Sequence, residues 1–337
     1  MYVCSNCFSD NEVKGLILSS QTIGECHICN SKKVPLLDIA ELQDFFQELI
    51  DNFKPSNDGR LLKSIIQADW HFFSSYDVAT KILNEMLPII STDIPSSTSL
   101  VNYTDEILDN INYWEELKEE LKLSRRFLSN IEKLEELGWD GFFNAQFELE
   151  MEYKLYRARV HHESGLPAYT FDKMKCPKPS IARGGRANPI GIPYLYLSDN
   201  PNTVIYEVRA SYLDEISIAT FQLKSNNTSV KIVDFTGHSS LFRPTLVNNT
   251  IKAKLLKEKI SRDLSKPMRR YDTEVEYIPT QFICEYIKVI TGSNGIRFNS
   301  SLHPEGKNIV IFDQELVECK EVVLKRVNSL KMTTIDI

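Results

Sequence analysis

No stretch of this chain approaches the ~20 consecutive apolar residues that a membrane-spanning helix needs. Basic charge is not in excess either. The 39 Lys and Arg stand against 46 Asp and Glu, a net charge of −7, which disfavours broad nucleic-acid binding. Glycine is sparse, at 13 residues, and none falls in G-x-G-x-x-G or G-x4-G-K-[ST]. Rossmann and P-loop readings therefore lack their main signal. The amino terminus, MYVCSNCFSD, has neither the basic nor the apolar region of a secretory signal, so the expected location is cytoplasmic. The seven cysteines are odd in number and unevenly spaced, which argues against a disulfide framework.

Four of those cysteines do form a pattern. Cys4, Cys7, Cys26 and Cys29 read C-x2-C-x18-C-x2-C. Each pair can place two thiolates on one tight turn, and two turns complete a tetrahedral Zn²⁺ site. With four protein ligands no position is left for water, so the expected role is structural. Residues 1–35 are read as a zinc ribbon whose folding energy comes from the metal.

A 3.6-residue period takes over at Asp38, the residue placed to cap it. Ile39, Leu42, Phe45, Phe46, Leu49, Ile50 and Phe53 predict one helix face. Pro55–Gly59 reads as a break. Helices are predicted around Leu61–Trp70 and Tyr76–Met86, the latter stopped by Pro88. Residues 91–101 read as a loop. Thr104 then opens a long helix expected to run to Leu137 and end at Gly138. That helix carries ten acids against five bases, the pattern of a solvated face. Residues 36–150 are thus expected to form a helical domain.

The character changes after Glu150. Strands are predicted at Lys154–Val160, Tyr194–Ser198, Ile216–Leu223, Val230–Phe235, Gly295–Phe298, Asn308–Phe312 and Val322–Val327. Helices interrupt them irregularly, which points to an α+β fold and away from a doubly wound sheet. The domain boundaries expected are 1–35, 36–150 and 151–327.

Candidate chemistry concentrates between Leu155 and Arg209. Arg157 and Arg186 offer planar guanidiniums suited to two phosphates. Gly184 and Gly185 would let backbone amides approach the same group. Tyr196 can stack on a flat ring. Glu207 is the carboxylate placed to stabilise a positively charged ribose as an N-glycosidic bond breaks. Together these residues suit cleavage of a dinucleotide without redox chemistry. Arg159 and Arg209 read as surface or locally paired cations, and His161 and His162 as surface or capping residues.

The ordered blocks YRAR (Tyr156–Arg159), GGRANP (Gly184–Pro189), YLYLS (Tyr194–Ser198), YEVR (Tyr206–Arg209), YIPTQ (Tyr277–Gln281) and GIRFNSS followed by HPEGKN (Gly295–Asn308) resemble the RES-domain family. The resemblance covers roughly residues 150–325. It implies a fold similar to ADP-ribosyltransferases and a toxin that acts on NAD⁺. It also places the family's serine at Ser300, with Ser301 as the alternative, to orient the ligand or Glu207. The upstream region resembles the HEPN-like extension of longer RES proteins. HEPN ribonucleases carry R-x4-6-H on a helix. Here His71 is the sole histidine between residues 36 and 150, and Arg60 is too distant to match. One departure stands out: Ala187 follows Arg186 where many members carry an aromatic.

The reading favoured is a toxin of toxin–antitoxin or phage-defence type that breaks the nicotinamide–ribose bond of NAD⁺ by hydrolysis or phosphorolysis. The expected partners are NAD⁺, an antitoxin or regulatory protein, and a second copy of the chain. The rival readings are mono-ADP-ribosylation of a protein, and a non-enzymatic or RNA-directed zinc-ribbon and helical module.

Overall fold

The computed structural model describes residues 1–144, 147–225, 229–237, 239–267 and 274–329. Contacts divide the chain into two units. One comprises Met1–Tyr113 and His238–Leu256, the other Trp114–Gly237 and Lys257–Ile337. The boundaries expected at residues 35 and 150 thus give way to a division within a helix, between Tyr113 and Trp114. The reason lies in the packing. Phe8, beyond the first cysteine pair, shares one core with Phe45, Phe46, Phe72 and Phe73, so residues 1–35 do not bury a core apart from the helices. Trp114, by contrast, donates to Asp263 at 2.7 Å within the second unit.

In the first unit, β1 (Tyr2–Cys4), β2 (Ile23–Gly24) and β3 (Val34–Asp38) form an antiparallel sheet in the order β1-β3-β2. Asp10 caps α1 (Asn11–Leu18), accepting from the amides of Glu12 and Val13. The same buried carboxylate accepts from Ser240 and from the amides of Leu241 and Phe242, which ties the returning segment to the start of the chain. Asp38 caps a 3-10 turn, Ile39–Leu42, that leads into α2 (Gln43–Ile50).

Phe53 does not continue that helix. It opens strand β4 (Phe53–Leu61), which pairs with β5 (Leu100–Tyr103), so part of the expected loop is also a strand. Asn52 turns the chain by donating to the carbonyls of Glu48 and Leu49. The expected break survives as a bulge, because Pro55 and Arg60 both pair with Val101. Gly59 sits there for want of space, since a Cβ would lie 2.3 Å from the Val101 carbonyl oxygen. Helices α3 (Leu62–Trp70) and α4 (Tyr76–Met86) follow, the second capped by Ser75.

Helix α5 (Asp105–Leu123) stops fourteen residues short of Leu137. The segment after it turns outward, leaving Phe127 and Leu128 exposed, and Asn130 caps a new helix, α6 (Ile131–Glu136). Gly138, at φ +76°, ends that helix, and α7 (Trp139–Phe142) follows. Among the described residues, no helix is long and apolar enough to cross a membrane.

The second unit is built on an eight-stranded sheet. Its strands are β6 (Phe147–Leu149), β7 (Leu155–Val160), β8 (Leu195–Ser198), β9 (Glu215–Leu223), β10 (Val230–Asp234), β11 (Gly295–Asn299), β12 (Lys307–Ile311) and β13 (Val317–Arg326). The order is β13-β9-β7-β8-β12-β11-β10-β6. Among the described residues, only β10 and β11 pair in parallel; the other pairs are antiparallel. This is the mixed α+β architecture expected, with helices α8 (Phe171–Met174), α9 (Pro201–Glu207), α10 (Val247–Ser265, shared with the first unit) and α11 (Ile278–Tyr286). Alternation along the strands separates two apolar clusters. Leu155, Leu195, Leu197 and Phe221 belong to one, and Ala158, Val204, Ile216 and Ile218 to the other.

Candidate active site

A cavity of about 320 Å³ opens where β7, β8 and β12 meet α9. Arg157, Gly185, Arg186, Tyr196 and Glu207 all line it, although they come from a strand, a loop, a second strand and a helix end. Ser301 lines it as well, while Ser300 lies just behind, nearly buried.

Glu207 is the last residue of α9. Asn200 caps this helix and Pro201 occupies its first turn, which fixes its start and hence where its seventh residue falls. A carboxylate at a helix C-terminus faces the negative end of the dipole, so it needs donors from elsewhere. Two supply them. Ser300 Oγ donates to Glu207 Oε1 at 2.6 Å, and Asn308 Nδ2 donates to the same oxygen at 2.7 Å. Oε2 accepts no hydrogen bond among the described residues. Ser300 is itself held, since its Oγ accepts from the amides of Leu302 and His303, both at 3.2 Å. The turn from Ser300 to Gly306 is compact because Gly306 lacks a side chain. A Cβ there would lie 2.1 Å from Thr203 Oγ1.

Arg157 projects from β7. Its Nη1 is buried without a hydrogen-bond partner among the described residues. Burial, and then repulsion from Arg159, push its guanidinium down to about 10, still cationic at neutral pH. A buried donor on a cation costs a few kcal/mol when unmet, so an anion reaching this atom would be stabilised by it. Arg186 is steadied differently. Its Nη1 donates at 2.6 Å to the carbonyl of Leu264, in the last turn of α10, where the helix dipole attracts a cation.

The GGRANP loop is clamped from within. Asn188 is buried and donates to the carbonyls of Arg183, Pro189 and Ile192. Tyr196 donates to Asn188 Oδ1 at 2.8 Å and accepts from the Ala187 amide at 3.0 Å. Burial pushes the Tyr196 phenol well above its ordinary range, so it stays protonated. The Gly185 amide donates to Asn188 O at 2.9 Å, which engages the group expected to meet a phosphate. Gly185 instead permits close packing, as a Cβ would lie 2.7 Å from both Asn188 Oδ1 and Tyr196 Oη. Of the two tyrosines on β8, Tyr194 is buried against Phe312, and Tyr196 is the one at the cavity.

Two roles escaped sequence reasoning. Asn308 was noticed only inside the block HPEGKN, although it grips Glu207 across 101 positions. The block YIPTQ secures the loop: Thr280 Oγ1 donates to Arg186 O at 2.6 Å, and Gln281 Nε2 to Gly185 O at 2.8 Å. Arg159 has a local partner, donating to Lys175 O at 2.8 Å. His161 is buried, contrary to the surface position expected, and bonds Ser217 Oγ at 2.7 Å. The hydrophobic contacts of its ring explain this, since it stacks on Tyr169 at 4.2 Å.

The cysteines form a separate cluster in the first unit. The four Sγ atoms of Cys4, Cys7, Cys26 and Cys29 lie within 4.8 Å of one another, with Cys4 and Cys29 at 3.4 Å and Cys7 and Cys26 at 3.6 Å. A tetrahedral zinc with Zn–S bonds of about 2.3 Å separates its sulfurs by roughly 3.8 Å, so the donor set fits such an ion.

Comparison with curated proteins finds no match. Among solved structures, the crystal structure of the M. tuberculosis MbcT-MbcA toxin-antitoxin complex aligns at 13% identity over 66% of this chain and 93% of that one, with a TM-score of 0.31. A likeness that loose carries no argument. The family model described as RES domain matches residues 154–333, more than half of the chain, and that span includes every residue named as lining the cavity. The chain belongs to the RES-domain family.

Proposed function

We propose that the second unit cleaves the nicotinamide–ribose bond of NAD⁺, and that the chain is a toxin acting by depleting this cofactor. The observation that carries this reading is the Glu207 carboxylate, held through one oxygen by Ser300 and Asn308 in a cavity that also contains the partnerless Nη1 of Arg157. Family membership supports it.

In this reading Arg157 and Arg186 bind the pyrophosphate, and the ring of Tyr196 packs against a flat ring of the ligand. The bond from ribose C1′ to the nicotinamide nitrogen breaks, and its electron pair leaves with neutral nicotinamide. Positive charge develops on the ribose, and Glu207 stabilises it from a fixed position. Water or phosphate then adds at C1′. Ser300 serves as a positioning residue, because its proton is donated to Glu207 and no imidazole is bonded to its hydroxyl among the described residues. The four cysteines hold a structural Zn²⁺, which closes the N-terminal turns and takes no part in the chemistry. A toxin of this kind needs restraint, and an antitoxin or other regulatory protein is its expected partner.

The test is incubation of the purified full chain with NAD⁺, with and without phosphate. Release of nicotinamide is expected, with ADP-ribose or its phosphorylated form as the second product. Unchanged NAD⁺ in both conditions overturns the reading.

A further inference from the structure

We propose that a second recess beside the cavity is an anion subsite for a third phosphate, so that the preferred substrate is the phosphorylated dinucleotide NADP⁺. This inference rests on the reading of the cavity as a dinucleotide site, and names its substrate more closely.

The recess has a volume of about 520 Å³. Ala158 and Val208 line both it and the main cavity, so the two adjoin. Strand β7 connects them: Arg157 lines the first and Arg159, two residues on, the second. His162 and Lys173 add further basic groups to the recess, and no acid lines it among the described residues.

Arg159 and Lys173 have contacts that do not neutralise them. Arg159 donates one guanidinium nitrogen to the Lys175 carbonyl, which fixes its fork while leaving its charge uncompensated by an acid. The Lys173 ammonium lies 5.7 Å from the centre of the Tyr169 ring, a cation–π contact and not an ion pair. Tyr169 is a rigid support. Its amide donates to Ser217 Oγ at 2.9 Å, and its ring stacks on buried His161 with the two planes 5° apart. The same Ser217 hydroxyl bonds His161 Nε2. The buried histidine is therefore a buttress that sets the height of Tyr169 and, through it, of Lys173.

Like charges gathered without a counter-charge repel, so the arrangement favours an anion. The pyrophosphate is already assigned to Arg157 and Arg186. The main cavity, at about 320 Å³, sits at the small end of ligand pockets. It suits the reacting half of a dinucleotide, and the adjoining recess suits the adenosine half. A phosphate on the adenosine ribose would meet Arg159 and Lys173, the kind of contact by which an arginine accommodates the 2′-phosphate of NADP in other folds.

The experiment measures turnover of NAD⁺ and NADP⁺ by the full chain, together with binding of ADP-ribose and 2′-phospho-ADP-ribose by calorimetry. We expect roughly tenfold higher kcat/KM for NADP⁺, the size of one charge-assisted hydrogen bond. Binding should favour the 2′-phosphorylated product analogue by a similar factor, and Lys173→Gln, at an exposed position, should bring both ratios close to one. Equal or better use of NAD⁺, with equal binding of the two analogues, overturns the subsite and leaves the NAD⁺-cleaving reading standing. Neither turnover nor binding of any of the four compounds overturns both.

Discussion

The cysteine cluster and the RES cavity both gather groups that bind ligands, but they leave those groups in opposite conditions. At the cluster, four thiols face one another, three of them fully buried. Every coordination position of a zinc ion would be filled from the chain itself. In the cavity, a buried guanidinium nitrogen has no partner and one carboxylate oxygen takes no hydrogen bond among the described residues. A closed donor set stabilises a fold, whereas an open one stores binding capacity for something else. The contrast makes separate predictions for stability and for activity.

The largest effect is expected at the closed site. Cys7→Ser, or a strong chelator, should lower the unfolding free energy by more than about 4 kcal/mol, because a metal bound by the four thiolates would supply folding energy there. Metal analysis and denaturant unfolding check this together; a metal-free protein of full stability would break the comparison.

Arg157 should show the reverse sign. Arg157→Met removes a buried, unmet donor of similar length, so thermal stability should hold or rise. The KM for NAD⁺ should nevertheless climb about 10- to 100-fold, as one charge-assisted contact is lost. A variant both less stable and unchanged in KM would assign Arg157 to the fold alone.

Smaller effects are expected from the residues that steady Glu207. Asn308→Ala and Ser300→Ala should each lower kcat about tenfold, with KM changed less, since each removes one hydrogen bond to a single oxygen. Asn308→Asp should not rescue, as it replaces a donor with a second negative charge beside Glu207.

The smallest effect concerns pH. Arg326, then the Gly165 amide and Ser164, hold the Glu215 carboxyl down to about 2 from its ordinary 4.5. A carboxyl lowered on folding stabilises above its unfolded value and loses that contribution as pH falls through the folded one. Stability should therefore decline between about pH 4.5 and 2. Glu215→Gln should flatten that part of the profile, as read by thermal melts across the range.

Legibility in the sequence followed the distance over which each feature is determined. The C-x2-C pairs and the strand around Arg157 are local patterns, and the structure has the corresponding elements. Features fixed by pairing between remote segments were hidden. Asn308 reaches Glu207 because its strand pairs with β8 at Ser198, a register that no local period encodes. The β4–β5 pair was obscured by a bulge that resembles a helix break. The gap between α5 and α6 was masked because its charged and apolar residues continue the helical composition on both sides. The acceptor of the Gly185 amide, the Asn188 carbonyl, was hidden for a related reason: it comes from the way the loop folds back on itself.

Glu207 is proposed to act on the reacting ribose, and not to hold the ligand or the fold. The most direct measurement is nicotinamide release by Glu207→Gln, with binding of NAD⁺ followed by calorimetry. A fall in kcat of about 10²- to 10³-fold with NAD⁺ still bound is expected on removing a charge aimed at the transition state. Nicotinamide release at the unaltered rate would contradict it.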